Sequence, residues 1–283
     1  AEHFGWMLSV PAARVGEALA LLADVAQHAV IPAPALDTER AVAIAYLAAL
    51  RDDMYRWPLR RLTEAAFAGH PYGAPASGDA DTLGAIDAAQ VRAWHEARCL
   101  AGPLVIAIAG DVEPAAAARE AARCFDAMRG APPAPIAAPR WVERTVTVRE
   151  SRDKAQTALA MAFAAPDRGD DARITAQLVA SMASGLGGRF FEELRDRRSL
   201  AYTVSAFPLV FRRAGLFVAY IATAPDREDD ARQGLLDEFA RFRDAPVGPD
   251  ELERARAYVI GTHAIRQQSG AAVLGELVDA WLF

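Results

Sequence analysis

The sequence predicts an α+β protein of two similar domains, each an antiparallel β-sheet covered by helices on one face. Three observations lead to this prediction. The chain has 283 residues, which is enough for two domains of ordinary size. Its strand-like and helix-like segments follow a similar order in both halves. A proline-rich stretch separates the halves, so we expect domains at 1–130 and 142–283 joined by a stiff linker at 131–141.

Composition narrows the class of protein further. Hydrophobic residues make up 53% and charged residues 24% of the chain, which is typical of a soluble globular protein. The net charge of −6 includes no basic stripe, which argues against nucleic acid as the main partner, and no apolar run is long enough for a membrane span. Cys99 and Cys124 could form a disulfide, but two buried reduced thiols are the favoured expectation. No signal-like segment stands at the start, and the compartment stays open between bacterial cytoplasm and periplasm.

Periodicity places the elements of the first half. Strands are predicted over 4–10 and 104–109. Helices are predicted over 15–26, 36–54, 86–98 and 114–128. The helix over 36–54 has Asp37 or Thr38 as its N-cap, where a side-chain oxygen can accept from a free backbone N–H. His70-Pro71-Tyr72-Gly73 is predicted to be a rigid turn because it combines proline and glycine.

The second half is predicted in the same way. Strands are expected over 143–148, 156–163, 200–207 and 215–222. Helices are expected over 173–184, 190–195, 229–242 and 249–265. The stretch 185–207 therefore changes from a glycine-rich loop to a helix and then to a strand.

Two polar side chains are predicted at the junction between that helix and the strand. Arg195 ends the helix and Tyr202 begins the strand, so a guanidinium and a phenol are expected to converge. Both groups donate hydrogen bonds at neutral pH, and neither is a plausible base there. Two such donors suit a carbonyl oxygen that gains negative charge during a reaction.

Four motifs follow one another in the order seen in a known family. These motifs are Glu39-Arg40, His70 to Gly73, the strand that ends at Gly110-Asp111, and Arg195 with Tyr202 seven positions later. Together they resemble the M16 zinc metallopeptidases, the family of pitrilysin and the mitochondrial processing peptidase. The resemblance implies that Arg195 and Tyr202 are catalytic and hold a peptide substrate beside a zinc ion on an opposing domain.

The zinc site of that family has no counterpart in this sequence. The family's His-x-x-Glu-His motif does not occur, and Tyr46 stands where the family has its glutamate ligand. A phenol is not a usual zinc ligand at neutral pH. His95 is predicted to lie on a helix surface rather than to bind metal. We therefore expect no metal site here, zinc in a partner subunit, and a first domain that lacks its N-terminal segment.

Three hypotheses about function remain. In the first, the chain is the non-zinc subunit of a heterodimeric M16 peptidase or of a self-associated dimer, active only with a zinc-bearing partner. Ser184, Gly185, Gly187 and Gly188 would then line the peptide-binding cleft, although a glycine-rich helix entry is as often a tight turn. In the second, it is an inactive structural or interaction protein of the same fold. In the third, it is a fragment of a self-sufficient zinc peptidase.

Overall fold

A computed structural model describes residues 2–128, 130, 136–185 and 187–283. Its helices are α1 (Val15–Gln27), α2 (Ala33–Asp52), α3 (Arg56–Ala66), α4 (Ala80–Ala85), α5 (Ala88–His95), α6 (Pro114–Cys124), α7 (Ala172–Ala183), α8 (Glu228–Asp244), α9 (Pro249–Arg266) and α10 (Gly270–Leu282). Its strands are β1 (Thr157–Ala165), β2 (Thr203–Val210) and β3 (Gly215–Thr223). No helix in these described ranges has the length and apolar character needed to cross a bilayer.

The chain forms two compact units, and neither is continuous in sequence. The first contains Ala1–Leu47, Ser77–Ile136 and Ile265–Phe283, and the second contains Ala48–Ala76 and Ala137–Ala264. The predicted division into 1–130 and 142–283 stays a prediction. Residues 131–135 of the predicted linker lie outside the described residues.

The first unit is built around the packing of α1 against α6. Leu19, Ala23 and Ala26 of α1 recur at helical spacing and are buried against Ala121 and Phe125. The side chain of Glu113 caps the start of α6 by accepting from two backbone N–H groups, and Pro114 occupies the first helical position. Local capping and one apolar stripe therefore account for both helices.

Three predicted strands are wrong. Residues 4–10, 104–109 and 143–148 are described, but none of these segments belongs to a β-strand. Ile106 and Ile108 pack against the α1–α6 core, so their apolar character reflects burial rather than pairing. A strand requires a neighbouring strand for its backbone hydrogen bonds, and an alternating sequence cannot supply one.

The second unit contains one antiparallel sheet in the order β1-β3-β2. Leu159 of β1 pairs with Ile221 of β3, and Ala206 of β2 pairs with Ala219 of β3. Every residue of β3 is buried, as expected for a central strand with apolar side chains on both faces. This antiparallel sheet with its helices confirms the predicted α+β class.

Helices cover both faces of this sheet rather than one. On one face, Phe190, Leu194 and Leu235 pack against Phe217 and Ile221. These residues come from the segment before Arg195, from α8 and from β3. On the other face, α3 and the turn Pro71–Gly73 cover Leu216 and Val218. The prediction of helices on one face is therefore wrong, and it did not include the helix over residues 56–66.

The predicted rigid turn at His70 to Gly73 is confirmed. Pro71–Gly73 form one short 3-10 turn, and the imidazole of His70 accepts from the backbone N–H of Tyr72. The Tyr72 ring stacks on Phe211 with centroids 4.6 Å apart, and its hydroxyl accepts from the backbone N–H of Arg213 at 3.1 Å. This turn therefore contributes a buried aromatic anchor to the second unit.

Candidate active site

The segment between α7 and β2 carries the candidate site, and buried side chains of the same segment anchor its backbone. Phe190 and Leu194 are completely buried, and Phe191–Arg197 form a π-helix. The segment ends at Ser199, whose φ of 49° is left-handed. Leu200 then donates its N–H to the carbonyl of Leu194 at 2.8 Å. This tight reversal brings the chain back beside the helix before β2 begins at Thr203.

The reversal places Arg195 and Tyr202 in contact, as the sequence predicts. The guanidinium carbon of Arg195 lies over the Tyr202 ring, 4.8 Å from its centroid. The same carbon lies 4.3 Å from the centroid of the Phe191 ring. Tyr202 is 78% exposed. The phenol and the guanidinium therefore form one exposed group at the junction of helix and strand.

Arg195 differs from the other arginines of this segment in its partners. Arg189 makes a bidentate ion pair with Glu251 at 2.7 Å, which raises the pKa of Arg189. Arg197 pairs with Glu193 at 3.0 Å, and Arg198 lies 3.9 Å from Asp237. Within the described ranges, the Arg195 guanidinium has neither an ion pair nor a hydrogen bond, so its N–H donors are available to a ligand.

An open pocket of about 350 Å³ adjoins Tyr202. Small side chains such as Ala201, Ala222 and Thr223 line it, and polar groups of Gln156 and Asp226 reach it. The start of β1, the start of β2 and the end of β3 therefore meet at this pocket. Gln156 and Asp226 were not predicted as site residues, because only the pairing of the strands brings them to the pocket beside Tyr202.

The loop predicted to bind substrate has structural roles. The hydroxyl of Ser184 donates to the carbonyl of Ala206 at 2.9 Å and accepts from the N–H of the same residue. Gly185 has a φ of 88°, which favours glycine, and a Cβ on Gly188 would lie 2.4 Å from the carbonyl oxygen of Ser184. Gly187 is exposed. The role of these four residues in substrate binding stays a prediction.

The described residues do not fit a zinc site. They contain no group of three histidine, cysteine, aspartate or glutamate side chains arranged to hold a metal ion. His95 is buried rather than on the helix surface, because its Nε2 bonds the carbonyl oxygen of Ala26 at 2.8 Å at the end of α1. Tyr46 lies exposed on α2, and Cys99 and Cys124 are free thiols.

Comparison with protein families decides the relationship. The family model described as the peptidase M16 inactive domain matches residues 85–259, which is more than half of the chain. The chain belongs to the M16 peptidase family. The predicted resemblance is thus confirmed, and the matched region includes Ser184 to Gly188, Arg195 and Tyr202.

Two curated relatives of this M16 chain are named as zinc proteases. An uncharacterized zinc protease of Streptomyces coelicolor is 26% identical over 271 residues, covering 92% of this chain and 58% of the relative. One from Mycobacterium tuberculosis is 28% identical over 244 residues, covering 83% of this chain and 55% of the relative. This M16 chain thus spans little more than half the length of these two curated relatives.

Solved structures share the M16 fold. A peptidase M16 inactive domain from Pseudomonas fluorescens matches with a TM-score of 0.82 and 26% identity, over 92% of this chain and 62% of that chain. A protease from Helicobacter pylori matches with a TM-score of 0.81 over 94% of this chain and 67% of that chain. At 14% identity, the second match shows the fold alone.

Proposed function

We propose that this M16 chain is the non-zinc subunit of a two-chain peptidase, in which Arg195 and Tyr202 hold the peptide substrate for a zinc-bearing partner. One observation carries the proposal. Arg195 lies against the exposed ring of Tyr202 with its N–H donors uncommitted, while Arg189, Arg197 and Arg198 have carboxylate partners. The zinc is assigned to the partner because the described residues offer no ligand cluster for it.

The chemistry of the two side chains suits a peptide carbonyl group. The guanidinium carries a permanent positive charge and several N–H donors in one plane. The phenol adds an O–H donor beside it. Donors that are already in place strengthen their hydrogen bonds as a carbonyl oxygen gains negative charge, which lowers the barrier to attack on that carbonyl. Neither group has to gain or lose a proton in this role.

The experiment measures peptide hydrolysis by the assembled complex. The chain is purified alone and with a candidate M16 subunit that carries His-x-x-Glu-His, and zinc content and activity are measured for each. We expect the chain alone to be inactive and the mixture to be active. Tyr202→Phe and Arg195→Gln should each lower turnover about a hundredfold or more without dissociating the subunits.

Two control variants match these substitutions in chemistry. Arg197→Gln removes an exposed arginine of the same π-helix that is paired with Glu193, and Tyr258→Phe removes an exposed hydroxyl from α9. Both controls should leave turnover unchanged. Unchanged turnover in both site variants would refute the assigned roles. Stoichiometric zinc and activity in this chain alone would instead favour a self-sufficient peptidase.

A further inference from the structure

We propose that Phe191 is a positioning residue that fixes the plane of the Arg195 guanidinium. Its ring lies one helical turn before Arg195, with its centroid 4.3 Å from the guanidinium carbon. The Tyr202 ring lies 4.8 Å from the same carbon. In the described residues the two rings make no contact with each other, so they approach the guanidinium from different directions. A planar cation between two ring faces keeps its N–H edges free.

The other contacts of the segment fix its backbone but not this side chain. Leu194 is buried in the core, and Thr223 donates its hydroxyl to the carbonyl of Leu200 at 2.6 Å. These contacts determine the positions of the Cα atoms from which the side chains of Arg195 and Tyr202 extend. The arginine stem still has several rotatable bonds, and the described residues provide no ion pair to orient its end. Tyr202 is largely exposed, so the half-buried Phe191 is the firmer of the two ring contacts.

The consequence concerns preorganisation of the proposed site. A guanidinium that is already oriented loses less freedom when it binds a carbonyl oxygen than one that must be ordered at that moment. Removing the Phe191 ring would leave the charge of Arg195 unchanged but would let its guanidinium adopt several orientations. If one long side chain has to be ordered when the substrate binds, kcat/KM should fall by about 2- to 10-fold. This second effect rests on the function proposed above, whereas the ring contact itself does not.

Nuclear magnetic resonance of the arginine Nε–H groups tests the contact in the chain alone. The Arg195 signal should be shifted upfield by ring currents, and Phe191→Leu should move it towards the position of an unstacked arginine. Phe191→Tyr should restore the shift because it restores the ring. Phe163→Leu is the matched control, since Phe163 is also partly exposed and its ring packs on Phe239. An unshifted Arg195 signal in the unsubstituted chain would overturn the proposal whatever the variants do.

Kinetics of the assembled peptidase separate positioning from a general effect on folding. Phe191→Leu should lower kcat/KM by about 2- to 10-fold, and Phe191→Tyr should recover it, while Phe163→Leu should have no effect. A changed Arg195 signal with unchanged kcat/KM would overturn the positioning role. If Arg195→Gln itself has no effect on turnover, the proposed function fails, and the nuclear magnetic resonance result still decides the stacking.

Discussion

Replacing Ser184 with alanine should destabilise the second unit by removing two hydrogen bonds at the edge of its sheet. The Ser184 hydroxyl donates to the carbonyl of Ala206 and accepts from the N–H of Ala206. Ala206 is buried on β2, and its backbone groups point away from β3 towards the outer edge of the sheet. Alanine at position 184 would therefore leave one buried donor and one buried acceptor without a partner.

The size of the effect follows from these two bonds. A typical hydrogen bond contributes a net 0.5–1.5 kcal/mol, so the two together contribute about 1–3 kcal/mol to the free energy of unfolding. We expect Ser184→Ala to fall in the upper half of that range, because both groups left behind are buried. Urea denaturation followed by circular dichroism measures the change as a lower midpoint at an unchanged slope. Faster hydrogen exchange of the Ala206 amide should accompany it.

Ser205 provides the matched control on the same strand. Its hydroxyl is buried, and no hydrogen-bond partner for it occurs in the described residues. Ser205→Ala should therefore be neutral or slightly stabilising, since it removes an unsatisfied buried oxygen. Equal effects of Ser184→Ala and Ser205→Ala would refute this reasoning. A loss of peptide binding in Ser184→Ala without a loss of stability would instead place Ser184 in the cleft, as the sequence analysis expected.

Two further measurements test the segment and the sheet. Ser199 has a left-handed φ, which is costly for residues with a Cβ and most costly for β-branched ones. Ser199→Gly should therefore raise the free energy of unfolding by about 0.5–1 kcal/mol, and Ser199→Val should lower it. Urea denaturation of both variants tests whether their stabilities rank in this order. Burial, followed by the nearby charge of Asp53, raises the pKa of Tyr220 from 10.0 to about 12. Folding thus favours the protonated phenol, so its stabilising contribution is complete below pH 10 and is lost as the pH rises towards 12. The tyrosinate absorbance of the chain minus that of Tyr220→Phe should show this late titration, and a midpoint near 10 would contradict it.

Local signals predicted two helices well, whereas the N-cap expected at Asp37 or Thr38 is wrong because α2 begins at Ala33. The predicted helix over 249–265 is observed as α9, Pro249–Arg266, and the one over 15–26 as α1, Val15–Gln27. A proline with an acidic first turn marks the start of α9, and helical spacing of apolar residues marks α1. Both signals lie within the helix itself. The sequence alone therefore contains what is needed to place such elements to within a residue or two.

Features that depend on distant partners were not predicted. Helix α3 was not predicted, although it mixes charged residues with apolar ones, of which Leu59, Leu62 and Ala66 lie at helical spacing and pack against the sheet. That pattern is local, but the face of the sheet that it covers could not be known from it. The alternating residues 143–148 show the reverse case, because they have the pattern of a strand without the pairing of one. Contacts between segments far apart in sequence decide which surface α3 covers and whether 143–148 forms a strand.

The candidate site was likewise predictable only where its residues lie close together in sequence. Arg195 and Tyr202 lie seven residues apart across one reversal, so local structure alone brings them together. Ser184 was expected to line the peptide-binding cleft, and that role stays a prediction. Its hydrogen-bond partner Ala206 lies 22 residues away on a strand, so this contact could not be predicted locally. Only the structure shows that the ring of Phe191 lies against the Arg195 guanidinium.

The way Arg195 is held bears on what it can bind. Glu193 lies two residues before Arg195, yet its carboxylate pairs with Arg197. An arginine that is paired with a carboxylate must break that pair before it can bind a carbonyl oxygen, whereas an arginine held by ring faces keeps both its charge and its N–H donors. Aromatic support thus orients Arg195 without occupying it. This arrangement is expected of an arginine that binds a ligand, and it is the physical reason to prefer a substrate-holding role over a purely structural one.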